Sequence, residues 1–348
     1  MSISNDFDFF IQWHLTERCN LACRHCYQSG VNRSEPTLPE IRAVVAEFAD
    51  MLEAWSEAYG ISFSPSFNLT GGEPLLRSDL DQIVELIGKT GASVYILSNG
   101  TLIERSWAER MAALGVKGVQ VSFEGPQDVH DSIRGTGSWL AARSGVANLL
   151  DAGIPVTLNV TLSRLNAGRM MEMVSLAAAF GAQRLGFSRL VPAGQGRELA
   201  ETMLTPNEVR KLYAELFAVD IPGLEIVTGD PVAAQMHAPS TQNIGGAPLG
   251  GCAAGVSGLT LLSDGAILPC RRLEIPIGNI RTDSLREVWA TSEVLASLRD
   301  QSLYQGRCGA CDRWSGCRGC RAIAWAASKV CGGEDYLAPD PQCFIEHV

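Results

Sequence analysis

The sequence contains no run of about 18 consecutive apolar residues, the length that a transmembrane helix requires. Its N-terminal stretch, MSISNDFDFFIQWHL, also lacks the cationic segment followed by an apolar segment that marks a secretory signal peptide. These two absences argue against a membrane-spanning or secreted protein. We therefore predict a cytoplasmic location.

Positive charge is scarce. The chain has 28 Lys and Arg against 38 Asp and Glu, which gives a formal net charge of -10. An excess of negative charge repels phosphate backbones and anionic lipids, so neither nucleic acid nor a membrane is a predicted partner. With 348 residues, of which 46% are hydrophobic, the chain can build one large domain and a smaller one.

Cysteine is missing from the whole middle of the chain, between residues 27 and 251. All 11 cysteines fall in a short N-terminal cluster or in the C-terminal region. Cysteines that serve as small core residues would be scattered along the sequence instead. In a reducing compartment, clustered cysteines bind metal more often than they form disulfides. The sequence thus predicts two metal-binding regions.

The cysteine-free region alternates short β-rich runs with longer helical patterns. A capping pair, Thr37 and Glu40, marks the start of the first helix. Such alternation predicts an α/β fold with a parallel sheet, either open and doubly wound or a partial barrel, with ligands at the carboxyl ends of the strands. The predicted strands are 10–16, 66–70, 92–98, 118–123, 154–162 and 184–190. The predicted helices are 38–59, 79–89, 104–114, 139–152, 169–180 and one from residue 206.

Composition divides the chain into three parts. Residues 1–220 carry the alternating pattern, and residues 221–250 are rich in Pro, Gly, Ala and polar residues and are typical of a linker. Residues 251–348 are rich in glycine and cysteine, with one helical pattern around 285–298. A core this thin is typical of a domain organised by metal.

The first cysteine cluster has the spacing Cys19-x-x-x-Cys23-x-x-Cys26. Three thiolates on a four-iron cluster leave one iron open to bind a cofactor or substrate, whereas a simple electron carrier fills all four positions. A zinc site completed by His25 or His14 is the alternative that the spacing leaves open.

A series of motifs follows this cluster in a characteristic order. Gly71-Gly72-Glu73-Pro74 comes after the second predicted strand, and Ser98-Asn99-Gly100 comes after the third. VSFEGP (121–126), HDSIRG (130–135) and the stretch from Asn159 complete the series. Across the first 190 residues, this ordered set closely resembles the radical S-adenosylmethionine (SAM) superfamily. The resemblance implies a partial (β/α)6 barrel in which SAM binds the open iron and is cleaved reductively to a 5′-deoxyadenosyl radical.

The resemblance also implies roles for individual residues. Cys19, Cys23 and Cys26 would hold the [4Fe–4S] cluster. Glycines let a backbone approach a ligand closely. The implied contacts with SAM are Gly71 and Gly72 at the methionine amine with Glu73 nearby, Ser98, Asn99, Ser122 and Asn159 at the ribose and carboxylate, and His25 at the adenine.

Several of these residues also have purely structural interpretations. Asn99-Gly100 is a good turn sequence, and Ser122 could cap the end of a strand. Glu124 departs from the aspartate that is usual in the family, and Arg134 could be a structural ion-pair residue.

The C-terminal cysteines resemble the SPASM domain, an extension that carries auxiliary iron–sulfur clusters. The resemblance implies two clusters. One would use Cys252, Cys270 and Cys320, with Cys331 as a further candidate. The other would use Cys308, Cys311, Cys317 and Cys343. The two-residue gap between Cys317 and Cys320 is shorter than usual, and Cys331 replaces a ligand found more often near the start of the domain. Paired Cys-x-x-Cys units leave a zinc-ribbon interpretation open.

SPASM-type enzymes mostly modify ribosomally made peptides (RiPPs). The leading hypothesis is therefore a peptide maturase that abstracts hydrogen from a precursor peptide and takes electrons from a reductant such as flavodoxin or ferredoxin. Because only 18 residues precede Cys19, we expect recognition by a separate leader-binding protein or by the barrel mouth. No catalytic acid or base can be assigned among Glu17, Tyr27, Glu124 and Arg271.

Three other functions share features with this sequence. A tetrapyrrole-modifying enzyme of haem biosynthesis shares the same two-domain plan and is the first alternative. A formylglycine maturase is disfavoured, because Arg271 follows Cys270 where that family has aspartate. A non-enzymatic iron–sulfur electron-transfer protein is the remaining alternative, and the Gly-Gly-Glu-Pro loop and three-cysteine spacing argue against it.

Overall fold

The computed structural model describes residues 6–28, 30, 33–236, 248 and 250–345. Its first strand, β1 (Asp6–His14), has two faces of different character. Phe9, Ile11 and Trp13 are at most 1% exposed and belong to the hydrophobic core. Because side chains alternate along a strand, Gln12 lies on the opposite face, where it lines a cavity.

Strands and helices alternate from β1 to residue 227, except that two helices lie between the fourth and fifth strands. The helices are α1 (Leu38–Tyr59), α2 (Leu80–Gly88), α3 (Arg105–Ala113), α4 (Gln127–Arg134), α5 (Ser138–Asp151), α6 (Met170–Phe180) and α7 (Pro206–Phe217). The strands are β2 (Ser62–Thr70), β3 (Ser93–Ser98), β4 (Gly118–Ser122), β5 (Val156–Leu162), β6 (Arg184–Arg189) and β7 (Glu225–Val227).

Over residues 250–345, the structure adds three short strands and four short α-helices. They are β8 (Gly258–Leu261), β9 (Ala266–Leu268), β10 (Gly278–Asn279), α8 (Leu285–Thr291), α9 (Glu293–Leu298), α10 (Gly306–Gly309) and α11 (Arg321–Val330).

All of the strands that the structure describes join one sheet in the order β10-β9-β8-β1-β2-β3-β4-β5-β6-β7. Strands β1 to β7 are parallel to their neighbours. This confirms the predicted α/β fold with a parallel sheet. Parallel strands connected by helices place the loops after β1 to β5 at one rim.

The helix caps explain why the predicted bounds of the first helix agree with the structure. Thr37 accepts a hydrogen bond from the amide of Glu40, and the Glu40 carboxylate accepts one from the amide of Thr37. Gly60 ends α1 in the left-handed conformation, at φ 64°. A polar cap and a C-terminal glycine are local signals, so a sequence can reveal them.

The structure adds detail to the sequence analysis in two helical regions. The single pattern around 285–298 is divided into α8 and α9, because Ser292 has an extended ψ of 117° and caps the second helix through the amide of Leu295. The HDSIRG motif, for which no secondary structure was predicted, lies mainly in α4.

The segment interpreted as a linker is partly built into the fold. Strand β7 pairs with β6, and a 3-10 turn covers Pro231–Met236. Residues 237–247 and 249 of that segment lie outside the described residues. On the other side of it, β8 pairs in parallel with β1. None of the helices in the described ranges is long and apolar enough to cross a membrane.

Candidate active site

The carboxyl ends of the central strands surround a cavity of about 330 Å³. This volume lies at the lower end of the range for ligand pockets, roughly 300–1,000 Å³. Nearly all of the predicted N-terminal site residues line it, namely Cys19, Cys23, His25, Cys26, Gly71, Gly72, Ser98, Asn99, Ser122 and Asn159. Of that predicted set, Glu73 alone does not line the cavity.

The three N-terminal cysteines lie on the loop after β1. Polar hydrogens point at two of their sulfurs: the Asn99 amide is 3.9 Å from Cys19 Sγ, and Arg134 Nη1 is 3.7 Å from Cys23 Sγ. Burial raises the pKa of all three thiols, that of Cys23 to about 11. Cys23 is buried, Cys26 is half-buried and Cys19 is exposed. Thiols of raised pKa become thiolates when a cation compensates their charge. Three such thiols on one cavity wall therefore fit an iron–sulfur cluster.

The Gly-Gly-Glu-Pro loop holds the start of the cysteine loop. The amide of Gly72 donates to the carbonyl of Thr16, and the amide of Glu73 donates to that of Arg18, both at 2.8 Å. A Cβ atom on Gly71 would collide with the Thr16 carbonyl, and one on Gly72 with the Arg18 carbonyl. The glycines are thus required for the contact between two loops, a reason that differs from the ligand approach expected from the sequence.

Glu73 is fully buried, and its carboxylate connects two loops. It accepts hydrogen bonds from Ser98 Oγ at 2.9 Å and from the amide of Asn99 at 2.8 Å. Burial raises the pKa of Glu73 to about 7, although these hydrogen bonds oppose the shift. Its position identifies Glu73 as an anchor for the Ser98-Asn99 loop.

A buried ionic cluster supports the last part of the cysteine loop. The Glu124 carboxylate is 3.0 Å from His25 Nε2 and 2.6 Å from Arg134 Nη2, and it also accepts the amide of Thr161 at 2.9 Å. Burial alone would raise the pKa of Glu124, but the charges of His25 and Arg134 lower it to about 2. Glu124 therefore stays ionised and orients both side chains beside the cluster loop.

The remaining cavity wall combines strand residues with the turn after Cys270. Gln12, Tyr27, Arg271 and Arg272 all line it. Arg271 Nη1 donates to Gln12 Oε1 at 2.9 Å, and its guanidinium lies 5.9 Å from the centre of the Tyr27 ring. Sequence reasoning named Arg271 and Tyr27 only as unassigned candidates and missed Gln12 and Arg272. The adjacent arginines after Cys270 were the available signal.

Two other titratable groups lie near this wall. Burial, with the charges of Arg271 and Arg33, lowers the pKa of His14 to about 3, so His14 is neutral. Glu17 also lines the cavity, and burial raises its pKa to about 7 against the opposing charge of Arg33.

Four of the C-terminal cysteines surround a second, small cavity. Gln235 Nε2 donates to Cys317 Sγ at 3.6 Å and to Cys343 Sγ at 3.4 Å. In the part of the chain that the structure describes, no three His, Cys, Asp or Glu side chains are close enough to hold a single metal ion. An iron–sulfur cube spreads its protein ligands over several irons. The cysteines around this cavity are Cys308, Cys311, Cys317 and Cys343.

The other C-terminal cysteines fall into two groups. Cys252 and Cys320 are buried, and Cys270 is half-buried next to Leu273, with which it forms a β-bridge. Cys331 is exposed at the far end of α11. At 1.5 Å per residue, this helix separates it from Cys320 by about 16 Å. The suggested assignment of Cys331 to the same cluster is therefore corrected, because one four-iron cube cannot reach both sulfurs.

Comparisons with known proteins agree with this geometry. The model of the radical SAM superfamily matches residues 13–177, and that of the SPASM iron–sulfur cluster-binding domain matches residues 252–321. An AdoMet-dependent heme synthase of Methanosarcina barkeri (strain Fusaro) is 31% identical over 96% of this chain and 95% of its own length. Mycofactocin maturase MftC of Mycobacterium tuberculosis (strain H37Rv) is 31% identical over 98% of this chain and 84% of its own.

The fold is also similar to solved structures. SuiB of Streptococcus suis, determined with bound S-adenosylmethionine, superposes with a TM-score of 0.73 at 16% identity, over 97% of this chain and 78% of SuiB. Family models, full-length relatives and fold all point the same way: the chain belongs to the radical SAM superfamily and carries a C-terminal SPASM domain.

Proposed function

We propose that this radical SAM enzyme matures a ribosomally made precursor peptide by abstracting hydrogen from one of its residues. The observation that carries the proposal is that a single cavity joins the three-cysteine loop to residues of the SPASM region. A substrate held by that region would therefore lie beside the SAM site. The similarity to mycofactocin maturase MftC, which spans nearly the whole chain, supports a peptide as substrate.

Individual residues take defined roles in this proposal. Cys19, Cys23 and Cys26 would ligate three irons of the cluster. When both are bound, the cluster supplies an electron and SAM supplies the 5′-deoxyadenosyl radical. SAM would contact the cavity-lining residues His25, Gly71, Gly72, Ser98, Asn99, Ser122 and Asn159, while Glu73 would position Ser98 and Asn99.

The SPASM region would hold the auxiliary clusters. Cys308, Cys311, Cys317 and Cys343 would supply four ligands to one cluster, and Cys252, Cys270 and Cys320 three to the other. Flavodoxin or ferredoxin would supply the electron, and either a separate protein or the barrel mouth would bind the leader part of the peptide.

The test begins with anaerobic reconstitution, iron counting, and addition of SAM and dithionite. We expect iron close to that of three four-iron clusters, formation of 5′-deoxyadenosine, and a mass loss in the precursor peptide encoded beside the gene. A variant with Cys19, Cys23 and Cys26 all changed to Ala is the control, and it should form no 5′-deoxyadenosine. An unchanged peptide in a reaction that does form 5′-deoxyadenosine would contradict the proposal.

A tetrapyrrole-modifying activity is the second candidate. The observation that favours it is the 31% identity, along nearly the whole chain, to the heme synthase of Methanosarcina barkeri. Retention of a porphyrin on the purified protein, and its conversion when SAM and dithionite are added, would support this candidate over the peptide maturase.

A further inference from the structure

The cavity contains two arginines that form no salt bridge with a described carboxylate, although the chain as a whole has a net charge of -10. Arg271 and Arg272 both line the cavity. Among the residues that the structure describes, their hydrogen bonds go to neutral acceptors. Arg271 Nη1 donates to Gln12 Oε1 at 2.9 Å, and Arg272 Nη1 donates to the carbonyl oxygen of Arg189 at 3.3 Å.

Two buried donors beside these charges also lack a partner. Gln12 is only 6% exposed, and its Nε2 has no hydrogen-bond acceptor among the described residues, although its Oε1 is engaged. Arg272 Nε is also buried, and it has no hydrogen-bond acceptor among the described residues. Buried polar hydrogens without acceptors are unfavourable, and buried charges are normally paired. The charges of Cys320, Cys270 and Asp230 act on Arg272, but none of them accepts a hydrogen bond from its Nε. Gln12 and Arg271 therefore lack an acceptor that carries negative charge.

The acidic group that shares the cavity does not fill this role. Glu17 accepts a hydrogen bond from Ser263 Oγ at 3.5 Å, and the charge of Arg33 acts on it. The third cavity arginine, Arg134, is already paired with Glu124. Besides His25 Nδ1 beside the cysteine loop, the unpartnered buried side-chain atoms among the described residues of the cavity wall are Gln12 Nε2 and Arg272 Nε.

We infer that Gln12, Arg271 and Arg272 bind a carboxylate of the substrate. A carboxylate offers two coplanar oxygens, which match the planar guanidinium fork and leave acceptor positions for an amide N–H. The inference rests on the proposed function, because it assumes that the substrate occupies this cavity. It adds the chemical group by which the substrate is held. That group is the C-terminal carboxylate of a peptide or a propionate of a tetrapyrrole.

Equilibrium dialysis of the reconstituted, SAM-loaded protein distinguishes these sources. The first pair of probes is a random peptide pool without Asp or Glu, either with free C-termini or amidated. The second pair is coproporphyrin and its tetramethyl ester. We expect the free acid of one pair to be retained about 10-fold or more better than its neutral counterpart, as a charge-assisted contact requires.

Variants connect this preference to the site. Arg271→Gln should abolish the preference for the acid, and Arg271→Lys, which keeps the charge but loses the fork, should retain part of it. The matched control is Arg105→Gln, because Arg105 is 72% exposed and pairs with Glu109 on the surface. It should retain the full preference. Equal iron content in all variants shows that each has folded.

Equal retention of acid and neutral probes in both pairs, or an unchanged preference in Arg271→Gln, would overturn the inference. Failure of the proposed function has a different signature, namely formation of 5′-deoxyadenosine without any change in peptide mass. A carboxylate preference seen only with the porphyrin pair would uphold the carboxylate site while contradicting the peptide as substrate.

Discussion

Replacing Glu124 by Gln should destabilise the protein strongly, because this change removes the charge at the centre of the buried cluster beside the cysteine loop. The Glu124 side chain is fully buried, and that of Arg134 is 10% exposed. An amide could still accept one hydrogen bond, but its NH2 group would face the N–H groups of His25 and Arg134. Removal of one partner of a buried ion pair typically costs about 3–5 kcal/mol.

The pKa of Glu124 predicts a loss of folding stability of similar size. Its decrease from 4.5 to about 2 on folding corresponds to about 3 kcal/mol of stabilisation. Because the folded-state pKa is depressed, this contribution is complete above the unfolded-state value of 4.5. It is lost as the pH falls through that value towards about 2. At pH 7.5 the variant should therefore show the whole loss.

The assay is urea denaturation at pH 7.5, monitored by fluorescence, of wild type and variant samples with equal iron content. The control is Glu109→Gln, which breaks the pair with Arg105 on the surface of α3, where Glu109 is 60% exposed. Exposed pairs contribute about 0–1 kcal/mol, so this variant should differ little from wild type. If Glu124→Gln were no less stable than Glu109→Gln, the interpretation of the cluster as a buried anchor would be refuted.

Three further predictions follow from the site. Gly72→Ala should displace the cysteine loop by a collision with a backbone carbonyl and lower the iron content and SAM cleavage, whereas Gly88→Ala, at an open helix end, should change neither. Cys331→Ser should retain all of its iron, while Cys343→Ser should lose about one four-iron cluster; equal losses would contradict the correction of Cys331. Glu73 has a folded-state pKa raised from 4.5 to about 7, so its stabilising effect is complete below 4.5 and is lost as the pH rises through 7. Between pH 5 and 8, the free energy of unfolding from urea titrations should fall for wild type by up to about 3 kcal/mol more than for Glu73→Gln. Parallel curves of this free energy against pH would argue against that pKa.

Local signals made part of the structure predictable from the sequence. Helix α1 was predicted with its observed bounds, since Thr37, Glu40 and Gly60 act within a few residues of the ends they cap. The sequence does not predict the break between α8 and α9, because the apolar spacing continues through Ser292. The break depends on the extended ψ angle of that one residue.

The candidate site was predictable where motifs follow strands, because parallel topology alone brings such loops together. The function of Glu73 as an anchor depends on contacts 25 and 26 residues away. Gln12 and Arg271 are 259 residues apart, and only folding brings them together. Their contact depends on the placement of β8 beside β1, which no spacing in the sequence indicates.

The parallel pairing of β8 with β1 affects how the enzyme can be dissected. A protein cut after residue 236 would expose a row of unpaired amide and carbonyl groups along Phe10 to Trp13, where β8 now pairs. Exposed strand edges of this kind recruit other chains and cause aggregation. The C-terminal region therefore completes the sheet of the N-terminal region by covering the edge of β1. It cannot be exchanged between relatives as an independent module. A chimera should keep Gly258–Leu261 together with the β1 that it pairs with.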